Sequence, residues 1–514
     1  MDATSLYDDL RVLRGLAGLS DHRKSKKLRA EEDALMKAAV SIVFDDDELE
    51  AIEAQRARPG KGPGSRPGGS NAKGRADYSM STWAKMLRDD AAELERPESS
   101  EAALFRRRFR VPYPVFKLLL EWTREWHEKS GTDCTGRARI PTELKLLGVL
   151  RVLGRATCFD GIFELSGISI ASMDAFFHKF TEWFRSELYP KFVFTPKTMT
   201  EVAEIQAAYA ALGLPGCIGS IDVVHVAWCM CPTWLANLAK GKEGYPSIAY
   251  NVICDHEGRA MSVLPGAYGA TSDKTIVRFD GFVDEVRCDP FFTEMQYALY
   301  KDADGAEETE KGAWLLIDGG YHKWAVTQAA SKMRSDPDYV AWRKQMESVR
   351  KDIECFFGRM KARWRMLKTP ISFHDKDHVD NAFFTCVGLQ NIIHDWDKSA
   401  GQSGLATWEV GVDWAAGAHG DFVDEDEDDG ARLWSRPKLR TARREAAGVR
   451  FFTPAAADDF SECGSISFPV GAVRHFGHEL PKTGEGARHD KKQQRLVDHF
   501  KHAKARGEVT WLRS

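Results

Sequence analysis

Three acids sit in segments that would ordinarily be apolar. Asp222 interrupts the strand-like run GSIDVVHVAW, where a central strand favours β-branched and aromatic side chains. Asp318 ends the run AWLLID and is followed by Gly319 and Gly320. An acid at the C-terminal edge of a buried strand, before a glycine turn, lies where α/β sheets place their sites. Glu354 falls in QMESVRKDIECFFGRMKARW, beside Ile353 and one turn from Phe357. It therefore borders the apolar stripe of Val349, Ile353, Phe356, Phe357, Met360 and Trp364, where a carboxylate is costly unless paired or bound to metal. Singly, each acid has a plain structural account. Asp222 could accept hydrogen bonds from a turn, Asp318 could cap the next element, and Glu354 could pair with Arg350 or Lys351. Jointly, acids on two strands and a facing helix could hold hard cations such as Mg²⁺. Two such ions roughly 3.5–4 Å apart can activate an attacking oxygen and stabilise the leaving oxygen of a phosphodiester. Asp352 precedes Glu354 by two positions. At about 100° per residue it turns to another face and is expected to be dispensable.

These acids need a scaffold, and the pattern supplies a mixed α/β domain over 213–397. GCIGSIDVVHVAW, SIAYNVICD and RAMSVLPGAYG are short β-rich segments, with DHEG as a hairpin turn between the last two. A helix starts near Ser272 and Asp273, both good N-caps. Residues 286–312 read as irregular and partly acidic, AWLLID as a fourth strand, and 338–366 and 377–396 as helices. Upstream, 78–212 is helical, with apolar residues three and four apart in VFKLLLEWTREW and ELKLLGVLRVLG. FDGIFELSGISIASMDAFFHKFTEWF reads as two helices around a glycine turn, either a helix-turn-helix or an ordinary bundle. Residues 1–77 read as a charged helical arm with the Gly/Pro-rich linker RARPGKGPGSRPGGSNAKGR. Residues 398–514 read as a largely disordered tail with an acidic run, DFVDEDEDDG, and a basic one, RPKLRTARR. The stretch KKQQRLVDHFKHAKARG is expected to form a basic amphipathic helix.

With 514 residues and 43% hydrophobic content, a sizeable core is expected and wholesale disorder is excluded. A net charge of −4 names no partner, so the distribution of charge matters more than its sum. Arg106, Arg107, Arg108 and Arg110 form one basic cluster; Lys351, Arg359, Lys361, Arg363 and Arg365 line the segment around Glu354. Such side chains neutralise phosphates and release counterions, so Arg359, Lys361 and Arg363 are candidate DNA contacts. Ten cysteines without a regular framework fit a reducing compartment. No secretory signal is visible and no apolar run approaches the roughly 18 residues of a membrane helix, so a soluble, intracellular protein is expected. His225, Cys229 and Cys231 lie close together, but a single Cys-x-Cys with one His lacks the paired spacing of a zinc site.

The three acidic segments together resemble those of Harbinger-type transposases, a branch of the DDE (Asp-Asp-Glu) superfamily. GSIDVVHVAWCMCP is similar to the family's first-acid motif, with His225, Trp228, Cys231 and Pro232 matching its neighbours. IDGGYHKW is similar to the second, Asp-Gly-x-Tyr-Pro, although His322 stands at the proline. RKDIECFFGRMKARW is similar to the third, and thirty-five residues separate Asp318 from Glu354, a spacing common in the superfamily. GATSDKTIV resembles a further segment, with Asp273 at its acid. The resemblance covers roughly 105–396. It implies a ribonuclease-H-like catalytic domain behind a helical N-terminal region. Asp222, Asp318 and Glu354 would be its catalytic acids and ligands of two Mg²⁺ or Mn²⁺ ions, with His225, Asp273 and Lys351 as accessories. It further implies cleavage, and in some members joining, of DNA phosphodiester bonds at transposon ends. A nuclear location, a Myb-like DNA-binding partner and self-association also follow from it. The rival expectation is a domesticated descendant that binds DNA or protein and no longer cuts.

Overall fold

The sheet is built around its longest strand, the one that carries Asp222. The computed structural model describes residues 77–127, 139–329, 334–399 and 484–510. The arm at 1–76, the acidic and basic runs of the tail and the disorder expected of both termini lie outside the described residues. Strand β1 (Cys217–Ala227) pairs antiparallel with β2 (Ser247–Cys254), which pairs with β3 (Ala260–Val263) and the short β4 (Ala267–Tyr268). On its other side β1 runs parallel to β7 (Trp314–Ile317), which is followed by β8 (Thr327–Ala329). The order is β3-β2-β1-β7-β8 with β4 also on β2. This mixed six-stranded sheet with helices on both faces is consistent with a ribonuclease-H-like fold.

Both faces are covered, which is why β2 reads as a continuous apolar run and every one of its residues is buried. Side chains alternate along a strand, and the core divides accordingly. Ile221, Ile253, Leu315 and Ile317 pack toward helices α7 (Met199–Ala210) and α9 (Gly281–Cys288) through Val202, Phe282 and Val286. Val224, Tyr250 and Val252 meet Ile353, Phe356 and Phe383 on the opposite face. Those partners belong to α10 (Pro337–Arg363) and α11 (Lys376–Ser399). Asp222 shares the parity of Val224, so it points to the α10 side. Helix α10 begins where Asp336 accepts the Tyr339 amide at 2.9 Å and Pro337 occupies the first turn, the arrangement that satisfies otherwise unpaired N–H groups.

The helical region precedes the sheet. It contains α1 (Thr82–Asp89), α2 (Ser100–Phe109), α3 (Tyr113–His127), α4 (Thr142–Arg155), α5 (Phe159–Ser166) and α6 (Ile170–Trp183). Its core is continuous with the sheet's α11 side through Phe105, Leu147, Phe180 and Phe383. No described helix is long and apolar enough to cross a membrane.

Two elements differ from the expectation. The stretch 286–312 is not irregular: β5 (Gln296–Tyr300) and β6 (Glu307–Lys311) form a hairpin. Its acidic strand is held by a helix far along the chain, α12 (Glu485–Ala505), whose Arg495 pairs with Glu308 at 2.7 Å and with Glu310. Between β4 and α9, the short α8 (Asp273–Val277) is capped by Ser272, which accepts the Thr275 amide; Asp273 is the first helical residue instead of the cap.

The β2–β3 turn supplies a test of the packing. Gly258 has φ +80°, and a Cβ there would lie 1.6 Å from Nη2 of Arg359, whose guanidinium donates to the Gly258 carbonyl at 3.2 Å. Gly258→Ala is expected to lose about 1–2 kcal/mol from the left-handed backbone alone, plus the displacement of a buried arginine. A urea midpoint equal to that of the native chain would refute this.

Candidate active site

The parallel pairing of β1 with β7 brings two of the acids together. Ser220 opposes Leu316, and Asp222 and Asp318 each lie two residues further on. Paired residues of parallel strands share a face, and adjacent strands run about 4.8 Å apart. The two carboxylates therefore leave neighbouring backbone positions toward α10. Asp318 is exposed, just past the end of β7, and one of its oxygens accepts the Gly319 amide at 2.7 Å. Asp222 is more enclosed, with 24% of its side chain exposed, and Oδ1 accepts the Val223 amide at 2.8 Å.

Helix α10 completes the arrangement through Arg350. Its guanidinium lies 3.6 Å from Asp222 and 2.7 Å from Glu354, one helical turn apart on the same helix. Acids from a strand and a helix thus share one cation. Burial pushes the Asp222 carboxyl up to about 6. The Val223 amide and Arg350 act against that rise, while Glu354 and Asp273 add to it by repulsion. Asp273, at the start of α8, is therefore near enough to act on the Asp222 carboxyl through its charge. Tyr321 lies among them: it is 5% exposed, and burial, then Asp222, Asp273 and Asp318, push its hydroxyl well above the usual tyrosine range. That hydroxyl is buried and has no hydrogen-bond partner among the described residues.

Hard oxygen donors of negative charge around a resident cation fit a divalent metal in kind. The side chains as they stand do not close on one: among the described residues, no group of three or more His, Cys, Asp or Glu is close enough to hold a metal ion. Arg350 supplies the positive charge between Asp222 and Glu354.

The remaining residues divide. His225 shares a hydrogen bond with Ser247 at 3.0 Å, and burial lowers its pKa, with Asp273 and Lys361 among the charges acting on it. Lys361 donates to the His225 carbonyl at 3.0 Å, tying α10 to β1 beside the acids. Lys351 is half-buried on α10, and its neighbour Arg350 reaches Asp222 and Glu354. Cys229 approaches the Ile371 carbonyl at 3.2 Å and Cys231 the Pro232 carbonyl at 3.6 Å. Two of the expected phosphate contacts are corrected. Arg359 and Arg363 are 4% and 2% exposed; Arg359 bonds Gly258, and Arg363 donates to Gln390 at 2.9 Å. Their spacing on α10 turns them into the core, so they have no surface to offer a backbone. Asp352 is also buried, against His256. Arg350 and Tyr321 were not singled out from sequence as site residues; Arg350 carried a signal, being four residues before Glu354.

Residues 191–400 match the plant transposon protein family. The chain is 22% identical over 253 residues to a protein of Arabidopsis thaliana described as ALP1-like, covering 48% of this chain and 59% of that protein. It is 25% identical over 205 residues to the Arabidopsis thaliana protein named antagonist of like heterochromatin protein 1, covering 38% of this chain and 48% of that one. The chain thus spans about half the length of the curated relatives it matches. No solved structure matches.

Proposed function

We propose that this chain, whose sheet region is of the Harbinger-type, transposase-derived family, is a divalent-metal-dependent nuclease acting on DNA phosphodiester bonds. Asp222, Asp318 and Glu354 are its catalytic acids. The observation that carries this reading is the sharing of Arg350 by Asp222 and Glu354, with Asp318 beside Asp222 on the neighbouring strand. An acid held largely inside a sheet, with its carboxyl pushed up to about 6, costs stability and is retained where function uses it. Mg²⁺ or Mn²⁺ held by these acids would supply an activated attacking oxygen and a stabilised leaving oxygen. The protein's own part is orientation. The Val223 and Gly319 amides each fix one oxygen of Asp222 and Asp318, and the other oxygen of Asp222 faces Arg350. Arg350 keeps Asp222 and Glu354 neutralised in the resting chain, and Lys361 fixes the backbone of β1 to α10. A nuclear location and a Myb-like DNA-binding partner belong to the same proposal.

The test is nicking of supercoiled DNA by the full chain, with Mg²⁺ or Mn²⁺ against a chelator blank. Metal-dependent nicking is expected. A folded protein that nicks no DNA, with or without a DNA-binding partner, would sink it and favour the second reading, a DNA- or protein-binding factor without cleavage. That second reading draws on the acids not closing as a metal group among the described residues.

A further inference from the structure

Helix α8 is little more than one turn long, so contacts from outside must hold it in place. Ile276 and Val277 supply part of this, both buried, with Val277 in the same cluster as Tyr321 and Trp324. A second contact comes from His322, whose Nε2 lies 3.1 Å from the Lys274 carbonyl. A carbonyl only accepts, so Nε2 carries the proton. Lys274 directly follows Asp273, and His322 follows Asp318 by four residues. One hydrogen bond therefore joins the turn that carries Asp318 to the helix that carries Asp273.

The imidazole that makes this bond is itself well held. The Tyr321 amide donates to the Asp318 carbonyl at 3.3 Å, which closes the turn. The Thr327 hydroxyl donates to the His322 carbonyl at 2.8 Å and accepts the Trp324 amide at 3.1 Å. The His322 ring stacks on Trp324, with centroids 4.9 Å apart and planes 27° from parallel. Trp324 is 1% exposed. The Arg287 guanidinium lies 4.1 Å from its ring centre, drawn to the aromatic face. Arg287, on α9, pairs in turn with Glu485 of α12 at 3.5 Å. A chain of side-chain contacts thus runs from α12 to α8 and ends on the residue beside Asp273. Burial lowers the pKa of His322; the Lys274 carbonyl acts against this, and Arg278, Lys274 and Arg287 lower it further. A proline, which stands here in the motif that this segment resembles, could not donate the bond.

We infer that His322 is a positioning residue of the acidic site, fixing the turn of Asp318 and the helix of Asp273 so that the acids hold a divalent cation without rearranging either. This rests on the reading of the acids as a metal-dependent site. Groups that orient acidic ligands from behind contribute to metal affinity although they never touch the ion.

The experiment is titration of the full chain with Mn²⁺ alone, the free ion being followed by electron paramagnetic resonance, beside melting midpoints and nicking at limiting metal. The variants are His322→Ala, His322→Phe, which keeps a stacking ring and loses the donor, and His322→Gln, which returns a donor. The alanine and phenylalanine variants are expected to bind Mn²⁺ about tenfold more weakly, the lower end of what losing such an orienting group costs. Nicking at limiting metal should fall in step, with KM for DNA unchanged. The glutamine variant should recover part of both. Native-like Mn²⁺ affinity in the alanine or the phenylalanine variant would overturn the inference and leave the nuclease reading standing. A lower melting midpoint with unchanged Mn²⁺ affinity would make the contact purely structural, which also overturns it. The expected losses of Mn²⁺ affinity, seen in a protein whose native form nicks no DNA, would keep the inference and end the nuclease reading. A native chain that binds no Mn²⁺ would overturn both.

Discussion

Asp222→Asn is expected to lower nicking by roughly 10³-fold, since ligands of one site act as a unit and losing one forfeits most of the catalysis. Asp318→Asn and Glu354→Gln should each do the same, and a double variant should be little worse than either. The stability of Asp222→Asn should move the other way. Its carboxyl titrates at about 6 in the folded chain, above the ordinary value of 3.8. A raised acid contributes stability that is full below the unfolded value and is lost as pH rises through the folded one. At pH 7.5 the ionised group therefore costs up to about 3 kcal/mol, by 1.36 kcal/mol per pH unit. The 3.6 Å contact with Arg350 is already counted in that net figure. The variant should melt at or above the native midpoint at pH 7.5, and the gap should narrow as pH falls through about 6 and close only below about 4. Native-like nicking by Asp222→Asn would remove Asp222 from the chemistry. A large drop in its melting midpoint at neutral pH would make it a structural acid.

The acids were legible because each breaks a local pattern. An aspartate in GSIDVVHVAW and another ending AWLLID are conspicuous against apolar strands. Strand parity alone puts Asp222 on the face opposite Ile221. What the sequence could not show depended on partners far away along the chain. EETEK reads as a loop until Arg495, well over a hundred residues later, lies over Glu308 and Glu310. Arg359 and Arg363 read as surface charges because nothing local reveals that the Gly258 carbonyl and Gln390 face them. Arg350 was foreseen only as a helix neighbour of Glu354; its contact with Asp222 comes from the way α10 crosses β1.

Asp352→Ala is expected to cost about 1–3 kcal/mol, the usual penalty for leaving a buried hydrogen-bonding group without its partner. Helical geometry does turn Asp352 away from Glu354, as expected, but it turns it into the core and not toward water. Its side chain is 2% exposed and pairs with Nδ1 of His256, itself in the turn after β2 and 8% exposed. Tyr209 and Cys254 pack around it, both fully enclosed, and Asp352 is among the charges that raise their pKa values. Alanine would leave the imidazole without its carboxylate in a place water does not reach. Asp352→Asn should cost less, because an amide oxygen can still accept from the ring. His256→Ala should cost a similar amount to Asp352→Ala, and the double variant less than the sum of the two, since the pair is one interaction. The measurement is the urea midpoint of the four chains at pH 7.5, read beside nicking at a temperature where all remain folded. Additive losses would mean that the two side chains do not act on each other. Nicking should persist in folded Asp352→Asn, which separates an acid that holds α10 on β2 from the acid two residues later that α10 presents to the site.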